Sequence, residues 1–235
     1  MNVVDYVILG IVGVSLLYGL YRGFISSVLG LVCVFAAMFA AYAIGPALAS
    51  AICKNEMVVD TLVHYTDASS RLGDLDLSRM QVAGLSAGTI ADIVARTGLP
   101  MPFDALLETN MAQQVFAAIG SVDVSQYINQ TIVTSIVSIL CYIAVFIVGY
   151  VALSLVTGLL GYIFRFPSLK YLDALLGGVF GLARGVAMVY ILFALVPIFM
   201  TVLPFEQFGE MVEASRIGSA LYKSNIVTTI LQGHL

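Results

Sequence analysis

Apolar residues in this chain come in four long runs, not at the short alternating or helical spacings of a soluble domain. The first, Val3 to Tyr21, is long enough to span a bilayer at about 1.5 Å per residue and stops at Arg22-Gly23. A second begins at once with Phe24 and runs to Ile44, where Gly45-Pro46 predicts its end. So short a connection predicts an antiparallel transmembrane hairpin with Arg22 at its turn. From Ala47 to Gln130 the chain is polar enough for water. It shows local helical patterning there: Ile90, Ile93 and Val94 share one face, and Leu106, Leu107 and Met111 share another after Pro100-Met101-Pro102, with Asp104 placed in a first turn. The reading favoured for this segment is a set of short amphipathic helices lying on the membrane or on each other, in preference to an independent domain. The third run, Ile132 to Phe164, carries no charge and exceeds a simple span. The fourth, Leu172 to Leu203, is interrupted by Asp173 and Arg184.

These runs divide the chain into a transmembrane hairpin over 1–45, a polar loop over 46–131, the last two spans over 132–204 and an amphipathic tail over 205–235. Composition agrees: 60% of residues are hydrophobic, 10% are charged, and the mean hydropathy is +1.02, where a soluble domain carries about a quarter charged residues. Arg22, Arg165 and Lys170 lie near helix ends in the two short connections. The excess of positive charge predicts those connections in the cytoplasm, with the long acidic loop and both termini outside. The N-terminus lacks the basic region of a signal peptide, so the first span is expected to be retained.

Little in the sequence points to chemistry. Cys33, Cys53 and Cys141 are widely separated, His64 and His234 are isolated, and there is no HExxH, nucleophile elbow, Walker loop or useful pair of carboxylates. The expectation is a protein that is not an enzyme and holds no cofactor or metal. Tyr6, Tyr18, Tyr21, Tyr42, Tyr162 and Tyr171 fall near expected helix ends and read as an interfacial belt.

One internal echo joins the two halves. Gly19-Leu20-Tyr21-Arg22-Gly23-Phe24 and Gly181-Leu182-Ala183-Arg184-Gly185-Val186 both read Gly-Leu-x-Arg-Gly before an apolar segment. A charge deep in lipid is costly, which leaves two arrangements for Arg184. If it matches Arg22 at the cytoplasmic interface, the last span is Val186 to Leu203 and a short Gly-rich helix, Leu172 to Ala183, precedes it. If one helix runs from Asp173, Arg184 lies about 16 Å along it and needs a partner; Asp173 itself could reach Arg22 across helices. Gly177, Gly181 and Gly185 form a flat strip for close helix packing, against the same chain or another. The fold class expected is all-α: a polytopic membrane protein of about four transmembrane helices, with the short Gly-rich helix before the last span and the long polar loop between spans 2 and 3.

Three stretches carry a resemblance. Asp5-Tyr6-x-Ile8-Leu9, Arg22-Gly23-Phe24 and Asp173-x-x-Leu176-Gly177-x-x-Phe180-Gly181-x-x-Arg184-Gly185 resemble the colicin V production (CvpA) family of bacterial inner-membrane proteins, over roughly the first 45 residues and the last hundred. The resemblance implies a role in production or export of a peptide toxin and in envelope homeostasis. It carries over Asp5, Arg22, Gly23, Phe24, Asp173, Gly177, Gly181, Arg184 and Gly185 as signature positions without assigned chemistry. Two functions follow as expectations. One is a non-enzymatic assembly or export factor that binds itself or other envelope membrane proteins in the lipid bilayer, with no nucleic acid involved. The other is a small oligomeric conduit lined by Arg22, Arg184 and Asp173.

Overall fold

The computed structural model describes residues 2–66, 72–161, 170–202 and 206–224. Tyr162, Arg165 and His234, singled out above, lie outside them. Among the described residues the chain is built of helices joined by turns, with a lone antiparallel bridge between Gln81 and Asp123 and no strand. The helices are α1 (Val3–Arg22), α2 (Phe24–Cys53), α3 (Glu56–Thr66), α4 (Leu75–Ser78), α5 (Ala87–Thr97), α6 (Phe103–Ala112), α7 (Val124–Gly161), α8 (Lys170–Phe193), α9 (Val196–Val202), α10 (Glu206–Ala214) and α11 (Arg216–Lys223). Among the described residues four stretches are long and apolar enough to cross a membrane: Val3–Arg22, Phe24–Cys53, Val124–Gly158 and Tyr171–Val202.

Helix ends follow from local chemistry. At the start of α1, Asn2 Oδ1 accepts from the Val4 amide at 2.7 Å while the Asn2 amide donates to Asp5 Oδ2 at 2.9 Å, a capping box that satisfies two donors the helix cannot. At its other end Gly23 takes φ of +82°, where a side chain would be strained, and lets α2 begin at the next residue.

Several expected boundaries are corrected. The second span does not end at Gly45-Pro46, because α2 passes through Pro46 and continues to Cys53. The residues after the proline, Ala47-Leu48-Ala49-Ser50-Ala51, are mostly strong helix formers, and a proline within a membrane helix is tolerated where neighbours re-satisfy the backbone. The third span starts at Val124, eight residues before Ile132. Polar Gln126, Asn129 and Thr131 hid the stripe of Val124, Tyr127, Ile128 and Ile132, all of which are buried. No separate Gly-rich helix precedes the last span: α8 is continuous through Arg184 and Gly185 to Phe193. Its break comes later, at Ala194-Leu195, where the ring of Pro197 would clash with the carbonyl four residues back at Phe193. The Gly-Leu-x-Arg-Gly echo is therefore not a structural repeat, since one copy ends a helix and the other lies inside one.

The chain divides into two compact units. The first comprises Met1–Pro46, Cys141–Val196 and Glu206–Val227; the second comprises Ala47–Leu140, Pro197–Phe205 and Thr228–Leu235. In the second unit the amphipathic helices lie on each other. Ile93, Phe103 and Leu107 are fully buried, with Ile90, Leu106 and Met111 beside them, as the pattern predicted. Asn110 Nδ2 donates to Thr131 Oγ1 at 3.1 Å, the Phe116 and Tyr127 rings meet at 5.5 Å, and backbone bonds tie Val82 to Val122 and Val124 to Met80.

In the first unit α1 and α8 are antiparallel and pack closely along a shared seam. Gly177, Gly181 and Gly185 face Ser15, Gly19 and Gly23, two strips of small residues of the same four-residue period. A Cβ added at Gly19 would stand 2.9 Å from the Gly181 Cα, and one at Gly185 would stand 3.1 Å from the Val12 Cα. Ser15 Oγ donates to the Gly181 carbonyl at 2.7 Å across the seam. The glycine strip is thus occupied by its own chain, and close backbone approach supplies the dispersion and hydrogen bonding that hold helices together where the solvent is as apolar as they are. Antiparallel to α2, α7 brings Gly149 against Ala37 and Gly45 against Tyr142.

The seam predicts opposite outcomes for one substitution at two glycines. Gly13 has open space around it, so Gly13→Ala should be neutral or stabilise by up to about 1 kcal/mol through helix propensity. Gly181→Ala should destabilise by about 1–3 kcal/mol through overpacking. Thermal melts followed by circular dichroism in detergent compare the two.

Candidate functional site

The signature residues fall into three constellations, all within the first unit. At the N-terminal end of α1, Asp5 is fully buried although it is charged. Besides its place in the α1 capping box, its Oδ1 accepts from Ser215 Oγ at 2.6 Å and from the Ile217 amide at 3.0 Å. Ser215 is the N-cap of α11, its Oγ accepting from the Gly218 amide at 2.8 Å. One carboxylate therefore closes the N-termini of two helices 212 residues apart in sequence, where orphan amides and the helix dipole both favour negative charge.

Asp173 does the same work at the other end. It does not pair with Arg22 as expected; its Oδ1 accepts from the Phe24 amide at 2.9 Å, capping the first turn of α2, and its carboxylate lies against Gly23. The reason is steric. Gly177 packs on the Gly23 backbone, which brings Asp173, one turn earlier on α8, to the free amides at the start of α2, and no Cβ intervenes at Gly23. Phe24 adds an edge-on contact with Phe180 at 5.3 Å.

The third constellation is cationic. Arg184 is half-buried inside α8, and its guanidinium lies 4.8 Å from the centre of the Tyr18 ring while its Nε donates to Ser15 Oγ at 3.3 Å. Arg22 approaches the same ring at 5.4 Å. The ring quadrupole attracts each cation, by about 0.5–2 kcal/mol depending on desolvation. Among the described residues the ion pair present is Arg96 with Asp92, on the exposed face of α5. Neither Arg22 nor Arg184 has a carboxylate partner there. Gly185 packs against Val12 and Ser15, so the Arg184 backbone stands near that level of α1; its Nε reaches Ser15 there and its Nη1 lies beside Gly30 of α2.

Beside this column lies a groove of about 580 Å³ between α1, α7 and α8. Val7, Gly10 and Val14 line its apolar length, and Tyr18, Ser15 and Arg184 form its polar end. Among the described residues no three His, Cys, Asp or Glu side chains converge. The arrangement can bind and orient an anion; the two signature carboxylates are engaged with backbone amides.

Of the expected site residues, the structure brings Arg22 and Arg184 together on Tyr18, Gly23 and Phe24 together with Asp173, and Gly177, Gly181 and Gly185 into the α1 seam. Asp5 stands apart at the opposite end of α1. Four participants were missed. Ser15 and Gly19 were legible, because with Gly23 they repeat every fourth residue as the α8 glycines do. Tyr18 read as a belt residue, since an aromatic near a helix end carries no mark of its cationic neighbours. Ser215, lying in a tail read only as amphipathic, precedes α11 as a typical N-cap, but nothing local pairs it with Asp5.

These features define an all-α, multi-pass membrane protein whose spans are joined by a glycine seam and by carboxylate caps. Residues 4–75 and 110–225 match the family model described as Colicin V production protein. The chain belongs to that family, and the membership points to a role in colicin V production. The match extends well into the polar loop and leaves 76–109 outside it, a narrower insertion than the loop as a whole. No curated protein and no solved structure matches the chain.

Removing the shared cap should loosen the tail selectively. In Asp5→Ala, the Ile217 and Gly218 amides should exchange hydrogen for deuterium faster while amides in the middle of α7 keep their protection. Unchanged exchange at both positions would mean that Asp5 does not hold α11.

Proposed function

We propose that the protein is a non-enzymatic assembly or export factor for a colicin V-type toxin in the bacterial cytoplasmic membrane, with a part in envelope homeostasis. The observation that carries this reading is the use to which the signature residues are put. Asp5 and Asp173 bind backbone amides, and Gly177, Gly181 and Gly185 lock α8 to α1. Residues committed in this way build a fixed membrane frame, which suits a protein that holds partners. In this reading the partners are other envelope proteins or further copies of the chain, met through the polar segment between the second and third spans and not through the glycine strip. That segment and both termini face outward, as the Arg22 end faces the cytoplasm. The bond from Ser215 to Asp5 supports a shared side for the start of the chain and α11.

A second reading, a small conduit, draws support from Arg184, a cation well inside a membrane-spanning stretch and next to a groove. Asp173 no longer belongs to its path, being engaged at the start of α2.

Arg184→Gln separates the two in toxin-producing cells that lack the native copy. The frame predicts that any loss of secreted toxin follows a loss of protein or a changed topology. The conduit predicts abolished secretion at normal abundance and topology. Topology is read by an impermeant maleimide on spheroplasts, where Cys53, half-buried at the end of α2, should react while buried Cys33 and Cys141 stay protected.

A further inference from the structure

We infer that the groove between α1, α7 and α8 is a site for one anionic phospholipid of the surrounding bilayer, with its phosphate at Arg184 and an acyl chain along Val14, Gly10 and Val7. Charge is the first argument. Arg22 and Arg184 are drawn to a single tyrosine ring, 5.4 and 4.8 Å from its centre, with no carboxylate on either among the described residues. Two like charges around one ring in a medium of low polarity repel each other and raise the local positive potential, so an anion placed there relieves both. The only hydrogen bond from the Arg184 side chain among the described residues goes to Ser15, which leaves the rest of a five-donor fork free for phosphate oxygens.

Shape is the second argument, and it selects a lipid over a free ion. The polar end of the groove lies toward Arg22, at the end of α1, and the apolar lining runs away from it into the span. From Tyr18 to Val7 is eleven residues, about 16 Å along α1, comparable with much of an extended acyl chain. Gly10 has nothing within 4 Å of where a side chain would stand, so this stretch of α1 is left open along the groove. With its polar end on the Arg22 side and its apolar lining running away from it, the groove points the way a phospholipid of that leaflet already points. The site is independent of the export reading: a frame or a conduit could carry it.

Native mass spectrometry of the full-length protein released from nanodiscs of equal phosphatidylglycerol and phosphatidylcholine tests it. The unaltered protein should retain a phosphatidylglycerol in preference to phosphatidylcholine. Arg184→Gln should reduce that preference by about tenfold, as the loss of a charge-assisted contact implies. Gly10→Leu, which fills open space and leaves every charge in place, should lower retention of both lipids. Equal retention of the two lipids by the unaltered protein overturns the assignment, as does an unchanged preference in Arg184→Gln. A dimer that Gly10→Leu converts to monomer, with no change in bound lipid, overturns it in favour of a second copy of the chain.

Discussion

The close approach of α1 and α8 is the constraint on which the first unit depends. Helices in a bilayer gain little from hiding apolar surface, because lipid hides it equally well. What joins them is backbone contact, and backbone contact requires that no Cβ stand between. Ser15, Gly19 and Gly23 on one helix and Gly177, Gly181 and Gly185 on the other meet this requirement over two turns. The register follows from the match of the two strips, and everything nearby inherits it. Gly23 against Gly177 delivers Asp173 to the Phe24 amide, and Gly185 against Ser15 delivers Arg184 to Tyr18.

Charge is then distributed by what each position can offer. Helix N-termini provide unpaired amides, and both signature carboxylates go to them, one at each end of α1. Carboxylates engaged there are not available to the arginines. Among the described residues Arg22 and Arg184 are left with an aromatic ring and a serine hydroxyl, partners that attract a cation without neutralising it. Acids used as structural ties and bases left unneutralised make the anion-binding character of the groove a consequence of the packing.

Much of this was legible in the sequence, for physical reasons that also explain the failures. Four apolar runs announced four spans, because lipid leaves no other use for such lengths. The buried faces of α5 and α6 followed from the spacing of Ile90 and Ile93 and of Leu106 and Leu107. Boundaries failed where a strong local signal was overridden. Pro46 signalled an end that the alanine-rich stretch after it did not observe, and the polar residues of the first turns of α7 masked a buried stripe. Of the two arrangements open for Arg184 the continuous helix is the one present, and the separate Gly-rich helix of the expected fold fails because the cost of a buried arginine was counted without the ring and hydroxyl that receive it. Asp173 and Ser215 depend on contacts between helices far apart in sequence, and no local pattern specifies which amide a carboxylate will reach.

The seam itself can be tested directly by cross-linking. In a background with Cys33, Cys53 and Cys141 replaced by serine, the pair Leu20→Cys with Gly178→Cys places two thiols where the Leu20 side chain now meets Gly178, whereas Val12→Cys with Gly178→Cys separates them by about two helical turns. The antiparallel register predicts rapid disulfide formation in membranes for the first pair and none for the second. Cross-linking of the second pair in place of the first would contradict the register, and with it the positions assigned to Asp173 and Arg184.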